Sequence, residues 1–230
     1  MYICGYQKTT LLDYPGHVAA TIFTGGCNFR CQFCHNPDLL PKPDFSPVSE
    51  SEIFSFLQKR KNVLSGICIT GGEPTLQSDL ADFIKKARSL GYKIKLDTNG
   101  YRPEILKDLV QSHLLDYIAM DIKSGLSGYS FITGIENIKT DFIKESITII
   151  ENAQIPYEFR TTVVDTLHTQ KDFFEIRDLL SKESPYYLQS FVDSGNILTS
   201  GLSCCDINTL KNYLSIVQEK LPKAKLRSVE

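Results

Sequence analysis

Short apolar segments alternate along the chain with longer segments in which apolar residues recur at helical spacing. Continuous or alternating apolar runs predict strands, and apolar residues at i, i+3 and i+4 predict amphipathic helices. Strands are predicted at residues 18–24, 67–70, 93–97, 117–121, 157–164 and 186–189. Helices are predicted from residue 49 or 51 onward and at residues 77–90, 103–112, 141–153 and 169–180. These six strand-and-helix units in series predict an α/β fold whose parallel sheet, built with right-handed crossovers, curves into a barrel or partial barrel.

The segment before the first of these strands and the one after it lack helical or strand periodicity. Residues 2–13 are predicted to form an irregular or β-hairpin lead-in, closed by the turn Asp13-Tyr14-Pro15-Gly16. Residues 36–47 are proline-rich and are predicted to be an irregular connection.

The last part of the chain is predicted to add a helix at residues 206–220 and a short strand at residues 225–227, both packed on the sheet edge. No internal repeat or linker divides the sequence. We therefore expect residues 1–230 to form one domain, with a core at residues 16–190 and the segment 204–230 packed on it.

Composition and charge exclude several classes of protein. With 230 residues, 42% of them hydrophobic, the chain is long enough to bury a sizeable core. Its 25 basic and 27 acidic residues give a net charge of −2, so neither nucleic acid nor an anionic membrane is an expected partner. No leader pattern is present, and no apolar run approaches the roughly 20 residues that span a bilayer, so we expect a cytoplasmic protein.

Three of the seven cysteines lie within eight residues, at Cys27, Cys31 and Cys34. Spacings this short allow one loop to wrap one metal centre, and an odd number of cysteines argues against a disulfide framework. A structural zinc site needs four protein ligands, and His35, directly after Cys34, is poorly placed as the fourth. An iron–sulfur cluster held by three thiolates leaves one iron without a protein ligand, where chemistry can occur. The other cysteines, 4, 68, 204 and 205, are predicted to be structural or incidental.

Polar and glycine residues follow several predicted strands. Gly71 and Gly72 end one strand, and paired glycines let a main chain approach a ligand closely. Carboxylates, a lysine and an arginine lie in or after the next strands, where a barrel places its active residues: Asp97-Thr98-Asn99, Asp121, Lys123 and Arg160. The carboxylates are suited to hydroxyl groups or a cation, and the lysine to a carboxylate. Ordinary capping of strand ends is the alternative interpretation. His168, in a loop on the same predicted face, is a further candidate contact.

The cysteine spacing, with Phe33 directly before the last cysteine, and the later Gly71-Gly72-Glu73 together resemble the signature of the radical S-adenosylmethionine (radical SAM) superfamily. From about residue 6 to residue 189, the chain resembles the longer form of the anaerobic ribonucleoside-triphosphate reductase activating proteins. These are close to the pyruvate formate-lyase activating enzymes, which usually have Asp-Gly-Pro-Gly where this chain has Asp-Tyr-Pro-Gly. The resemblance implies a partial (β/α)6 TIM-like barrel of the radical SAM type.

The resemblance also implies a role for each candidate residue. Cys27, Cys31 and Cys34 are expected to bind a [4Fe-4S] cluster whose free iron chelates S-adenosylmethionine (SAM). The expected SAM contacts are Phe33 to the adenine, Gly71, Gly72 and Glu73 to the amino group, Asp97 to the ribose and Lys123 to the carboxylate, with Asn99, Arg160 and His168 also at the cofactor site. Asp97, Thr98 and Asp121 are expected to frame a monovalent cation.

The activity implied is that of an anaerobic radical SAM oxidoreductase. An electron from flavodoxin or ferredoxin would cleave SAM, and the resulting 5′-deoxyadenosyl radical would take a hydrogen from a glycine of the reductase. Alternatives are an activase of another glycyl radical enzyme, such as pyruvate formate-lyase, and a small-molecule radical SAM enzyme similar to carboxy-deazaguanine synthase. A non-enzymatic iron–sulfur or zinc binding module is the third alternative.

Overall fold

The computed structural model describes residues 1–40, 46–193 and 195–227. Part of the predicted proline-rich connection, residues 41–45, lies outside the described residues. The strands are β1 Ile3–Thr10, β2 Ala19–Thr24, β3 Gly66–Gly71, β4 Lys93–Thr98, β5 Tyr117–Asp121, β6 Tyr157–Val163, β7 Tyr186–Ser190 and β8 Lys225–Arg227. The helices are α1 Glu50–Arg60, α2 Leu80–Ser89, α3 Pro103–Gln111, α4 Tyr129–Thr133, α5 Thr140–Glu151, α6 Gln170–Leu179 and α7 Ile207–Gln218. Short 3₁₀ helices lie at Pro37–Leu39 and Pro74–Leu76.

The Cα positions divide the chain into two compact units, and β5 runs from the first into the second between Ala119 and Met120. The first unit consists of Met1–Asn28, Asp38–Ala119 and Ala153–Pro156. In it β1 pairs antiparallel with β2, and β2, β3 and β4 pair in parallel. Strands β2 and β3 are almost continuously buried, which is the pattern of parallel strands covered on both faces.

The second unit consists of Phe29–Pro37, Met120–Asn152 and Tyr157–Glu230. Its strands β6, β7 and β8 pair in parallel. Helices α6 and α7 pack through the stacked rings of Phe173 and Tyr213, whose centroids are 4.3 Å apart.

The predicted alternation of six strands and their helices is confirmed, with helix and strand ends that differ by at most three residues. The lead-in at residues 2–13 contains a full strand, β1, that joins the sheet. Helix α4 was not predicted, because its five residues are too few to show a helical period. The single-domain organisation stays a prediction. Within the described ranges no helix is both long and apolar enough to cross a bilayer.

Candidate functional site

The cysteine loop begins in the first unit, directly after β2. The main-chain N–H of Gly25 donates to the Tyr2 carbonyl (3.0 Å), and that of Gly26 donates to the Leu39 carbonyl (2.6 Å). Gly26 has φ +87°, in the left-handed region that favours glycine. Two hydrogen-bonded glycines therefore fix the chain direction just before Cys27.

Gly71 and Gly72, at the end of β3, lie directly against this entrance to the cysteine loop. A Cβ at Gly72 would lie 2.0 Å from the Gly26 carbonyl oxygen, and one at Gly71 would lie 2.4 Å from the Thr24 nitrogen. The N–H of Gly72 donates to the Thr24 carbonyl and that of Glu73 to the Gly26 carbonyl, both at 2.8 Å. The paired glycines are thus required by a close approach of two main chains, which joins the two sequence motifs into one element.

The Glu73 carboxylate is completely buried and accepts four hydrogen bonds. Its Oε1 accepts from the Thr75 main-chain N (3.1 Å), the Thr75 hydroxyl (2.5 Å) and the Thr98 hydroxyl (2.8 Å). Its Oε2 accepts from the main-chain N of Asn99 (2.7 Å). Burial raises the pKa of Glu73 above its ordinary value, and these hydrogen bonds oppose the shift. The side chain therefore holds the loop after β4 against the turn after β3.

Asn99 continues this connection to the cysteine loop. Its Nδ2 donates to Asn28 Oδ1 (2.7 Å) and to Cys27 Sγ (3.8 Å), and its Oδ1 accepts from the main-chain N of Tyr101 (3.0 Å). Only 6% of the Asn99 surface is exposed. Of the candidate residues in this unit, the structure brings Glu73, Thr98 and Asn99 into one hydrogen-bonded group beside Cys27.

Asp97, two residues before Asn99, forms an ion pair with Lys95 on the same strand. Lys95 is 1% exposed, and its Nζ also lies 3.8 Å from Cys68 Sγ. Residues i and i+2 of a strand share a face, so the pair is dictated by the strand itself. Sequence reasoning missed Lys95, although a second lysine in the short strand Lys93-Ile94-Lys95-Leu96-Asp97, on the same face as Asp97, was an available signal.

Cys31 and Cys34 lie in the second unit, joined by a hydrogen bond from the Cys34 main-chain N to the Cys31 carbonyl (3.0 Å). Burial raises the pKa of the Cys31 thiol to about 11. Phe33, between them, is buried against Ile132, Val164 and Phe191. The loop is anchored next to Cys31, where the Arg30 main-chain N donates to the Thr133 carbonyl (2.8 Å) at the end of α4.

Asp121, at the end of β5, links the two candidate cations of this unit. Its Oδ1 accepts from Arg160 Nε (2.8 Å), and its Oδ2 accepts from Lys123 Nζ (2.9 Å). Burial by itself would raise the pKa of Asp121, but the two cations outweigh it and hold this pKa well below the ordinary range. Asp121 is thus ionised at neutral pH and orients both cations.

His168 is buried and uses both ring nitrogens on main-chain groups. The Val164 main-chain N donates to Nδ1 (3.1 Å), so the proton is on Nε2, which donates to the Lys123 carbonyl (2.9 Å). Burial lowers the pKa of His168, which favours this neutral ring. The adenosine contact stays a prediction, and it would involve the ring rather than either nitrogen.

The donor chemistry of the predicted ligand set fits an iron–sulfur cluster. Three thiols from one loop are the ligands that such clusters take, and an amide N–H directed at Cys27 Sγ is compatible with a thiolate there. Among the described residues, no three His, Cys, Asp or Glu side chains are grouped to hold a metal ion. Cys27 belongs to the first unit and the other two cysteines to the second.

Comparison with known proteins identifies the class. The model of the radical SAM superfamily matches residues 21–180, which is more than half of the chain. The chain therefore belongs to the radical SAM superfamily of enzymes. Membership implies a [4Fe-4S] cluster and SAM as the cofactors.

Relatives narrow the class to a family. The chain is 31% identical over 194 residues to a candidate glycyl-radical enzyme activating enzyme of Methanocaldococcus jannaschii, covering 82% of this chain and 79% of that protein. It is 31% identical over 177 residues to a pyruvate formate-lyase-activating enzyme of Clostridium pasteurianum, covering 72% and 70%. Within the superfamily, the protein is a member of the glycyl-radical enzyme activating family.

Solved structures confirm the predicted fold class. SuiB of Streptococcus suis superposes with a TM-score of 0.66 at 14% identity, covering 90% of this chain and 48% of SuiB, so this chain spans about half of that protein. QueE of Escherichia coli superposes with a TM-score of 0.60 at 13% identity, covering 99% and 94%. At these identities the likeness concerns the fold alone, an α/β fold with a parallel sheet of the radical SAM type.

Proposed function

We propose that this protein activates an anaerobic ribonucleoside-triphosphate reductase by generating a radical on one of its glycines, with flavodoxin or ferredoxin as the electron donor. The observation that carries the proposal is the close approach of Gly71 and Gly72 to the entrance of the cysteine loop. This close approach joins the cysteine loop and the Gly-Gly-Glu segment through main-chain hydrogen bonds. Family membership supports the activase chemistry, and the turn at residues 13–16 supports the reductase as target.

Cys27, Cys31 and Cys34 would hold the [4Fe-4S] cluster, which supplies the electron that cleaves SAM. In the first unit, the carbonyls of Gly71 and Gly72 would accept hydrogen bonds from the amino group of SAM. Asp97, preoriented by Lys95, would accept from the ribose. The Glu73 carboxylate, which already has four donors, would act on the main chain around it rather than on SAM.

In the second unit, Lys123 would bind the carboxylate of SAM, and Phe33 would contact the adenine. Asp121 holds Lys123 and Arg160 as a cationic pair suited to an anionic group. His168 would support this arrangement by fixing the main chain of Lys123. Asp97, Thr98 and Asp121 would frame a monovalent cation, with the ammonium of Lys95 as a further counter-charge to Asp97.

Tyr14, the residue at which the turn departs from the usual Asp-Gly-Pro-Gly of the pyruvate formate-lyase branch, is packed in the core. It is 2% exposed, and a Cβ at Gly66 would lie 2.7 Å from its ring. Its ring centroid lies 4.3 Å from that of His17 and 6.0 Å from that of Tyr117. The residue thus fills a core position. It supports the reductase-activating branch because it resembles the sequence of that branch, not because it would contact a partner enzyme.

The test is anaerobic reconstitution with iron and sulfide, followed by SAM, a strong reductant and either the reductase or pyruvate formate-lyase. We expect 5′-deoxyadenosine and a glycyl doublet in the electron paramagnetic resonance (EPR) spectrum that require both this protein and the reductase. Cys31→Ala should abolish both, whereas Cys204→Ala, which changes an exposed thiol, should not.

The other outcomes reassign the function. A doublet formed only on pyruvate formate-lyase would change the target. Deoxyadenosine without a doublet on either protein would favour a small-molecule substrate. No deoxyadenosine from a fully loaded cluster would favour a binding module.

A further inference from the structure

Asn99 connects a buried carboxylate to a predicted cluster ligand. We propose that Asn99 is a positioning residue that sets the reduction potential of the cluster by donating an N–H hydrogen bond to the Cys27 sulfur. The inference rests on the proposed function, because it takes Cys27 to be a cluster ligand. It gives the side chain a role in electron transfer rather than in contact with SAM.

The orientation of the Asn99 amide is fixed by its neighbours. The main-chain N–H of Tyr101 can only donate, so the atom it meets at 3.0 Å must be the carbonyl oxygen of the amide. The NH₂ group therefore faces the cysteine loop. It has two hydrogens, and two acceptors lie within reach, Asn28 Oδ1 at 2.7 Å and Cys27 Sγ at 3.8 Å.

The main chain of Asn99 is held as firmly as its side chain. Its N–H donates to the buried Glu73 Oε2 at 2.7 Å. The neighbouring Thr98 hydroxyl donates to Glu73 Oε1 (2.8 Å) and accepts from the Gly100 N–H (3.1 Å). Since these groups are all buried or partly buried, water competes poorly for the amide, and its dipole keeps a fixed direction toward the sulfur.

A donor fixed at this place acts on the energy of the reduced cluster. One-electron reduction adds negative charge to the cluster and its thiolates, and an N–H directed at one sulfur stabilises that charge. Asn99 therefore raises the reduction potential and makes the cluster easier to reduce. Hydrogen bonds to the sulfurs are one of the factors that set the potentials of iron–sulfur clusters.

The experiment is a redox titration of the reconstituted protein, monitored through the EPR signal of the reduced cluster. It compares the wild type with Asn99→Leu and Asn99→Asp. For Asn99→Leu, which has a similar volume and no donor, we expect a reduction equilibrium about tenfold less favourable, a midpoint potential about 59 mV lower. Asn99→Asp keeps the acceptor for Tyr101 but places a carboxylate beside the sulfur, so its potential should fall further.

Thr75→Val is the matched control. It removes the hydroxyl that donates to Glu73 Oε1 at 2.5 Å and leaves the Asn99 side chain untouched. We expect this variant to be less stable but to keep the wild-type potential. If Asn99 had only a structural role, Asn99→Leu, Asn99→Asp and Thr75→Val would all lower the stability, and none would change the reduction potential.

Three results overturn the inference. One is an unchanged potential in an Asn99 variant with full iron content. Another is the loss of the cluster from both Asn99 variants, which makes the residue structural. The third is a wild-type protein that takes up no [4Fe-4S] cluster, which would refute the proposed function as well. If an Asn99 variant has an unchanged potential but still cleaves SAM normally, only the inference is refuted.

Discussion

At the scale of single residues, the hydrogen bonds of the Glu73 side chain leave little tolerance for substitution. Each of its oxygens faces a main-chain N–H, that of Thr75 or that of Asn99. Glu73→Gln would turn one oxygen into an NH₂ group that meets a main-chain donor whichever way the amide is placed. A buried unsatisfied polar group costs roughly 1–3 kcal/mol. We expect a loss of that size in the free energy of unfolding, measured with urea.

The control for this substitution is Glu104→Gln. Glu104 is exposed and pairs with Arg102 at the start of α3, so its loss should leave the urea midpoint nearly unchanged. Equal midpoints for Glu73→Gln and the wild type would contradict the role given to the carboxylate.

His168 predicts a dependence of stability on pH. Its pKa is lowered in the folded protein, so as pH falls through the ordinary value of 6.5 the unfolded chain takes up a proton first. The stabilisation by the neutral ring is fully present above 6.5 and is lost as the pH falls toward the lower folded pKa. The slope from one group is at most about 1.4 kcal/mol per pH unit. His168→Gln should reduce the slope of unfolding free energy against pH between pH 7 and 5.5.

Between pH 8 and 9 the ring is neutral in both states, so there the slopes of the two proteins should coincide. A variant that keeps the wild-type slope below pH 7 would show that another group causes the pH dependence. The structural reason for the lowered pKa is burial of the ring, which its main-chain hydrogen bonds do not overcome.

At the scale of elements, the junction of β2, β3 and the cysteine loop depends on an absent side chain. In Gly72→Ala the new Cβ would lie 2.0 Å from the Gly26 carbonyl oxygen, and main-chain atoms cannot move aside as a flexible side chain would. Forcing extra atoms into a packed site costs about 1–3 kcal/mol. We expect this loss in the free energy of unfolding, together with lower iron content, because the displaced atom is one residue before Cys27.

Gly5→Ala provides the matched control in β1. A Cβ there meets nothing within 4 Å, so its stability and iron content should stay close to those of the wild type. Normal iron content in Gly72→Ala would show that the entrance to the loop tolerates displacement, and it would contradict the constraint inferred from the 2.0 Å approach.

At the scale of the whole molecule, the last described strand, β8, is held in the second unit by its pairing with β7 and by a partly buried ion pair. Arg227 in β8 donates to both oxygens of Glu158 in β6, at 2.8 and 2.7 Å, and its guanidinium lies 3.8 Å from the centroid of the Tyr187 ring. The Glu158 side chain is only 2% exposed. Removing one partner of a buried pair costs roughly 3–5 kcal/mol, and here the Arg160 guanidinium, 3.9 Å from Glu158 Oε1, offsets part of that loss.

We therefore expect Arg227→Leu to lower the melting temperature markedly. Arg227→Lys should lower it less, because it keeps the charge but loses the two parallel hydrogen bonds. The comparison is Lys220→Ala, which removes an exposed pair with Asp178 in the same unit and should change the melting temperature little. Equal effects of Arg227→Leu and Lys220→Ala would show that β8 is not held by this pair.

The sequence predicted the order of strands and helices because each element carries its own signal. The continuous apolar run of β2 and the apolar face of α2 depend only on residues within the element. Strand β1 was only partly predicted, since its exposed Gln7-Lys8-Thr9 interrupts any strand pattern. Its place in the sheet comes from antiparallel pairing with β2, which no local pattern encodes.

The candidate site shows the same division. The three thiols and the paired glycines follow from local sequence, because ligand type and conformational freedom are properties of those residues. The partners of Glu73, Asn99 and His168 could not be predicted, since they lie 26, 71 and 45 residues away and depend on how the strands are aligned. Lys95 was missed for a related reason, because a charge inside a strand acquires meaning only when burial pairs it with Asp97.

By itself, then, the sequence determined the fold class and the superfamily and predicted the metal-binding loop, which all rest on residue types and patterns at short range. The tertiary structure decided which buried polar groups are hydrogen-bonded and to which partners. It buried the Glu73 carboxylate among donors from two loops, gave His168 a fixed tautomer, and directed the Asn99 amide at Cys27, while the contacts of these residues with SAM stay predictions. The physical reason is that a buried polar group must find its partner across the fold, and that partner is set by strand register rather than by position in the chain.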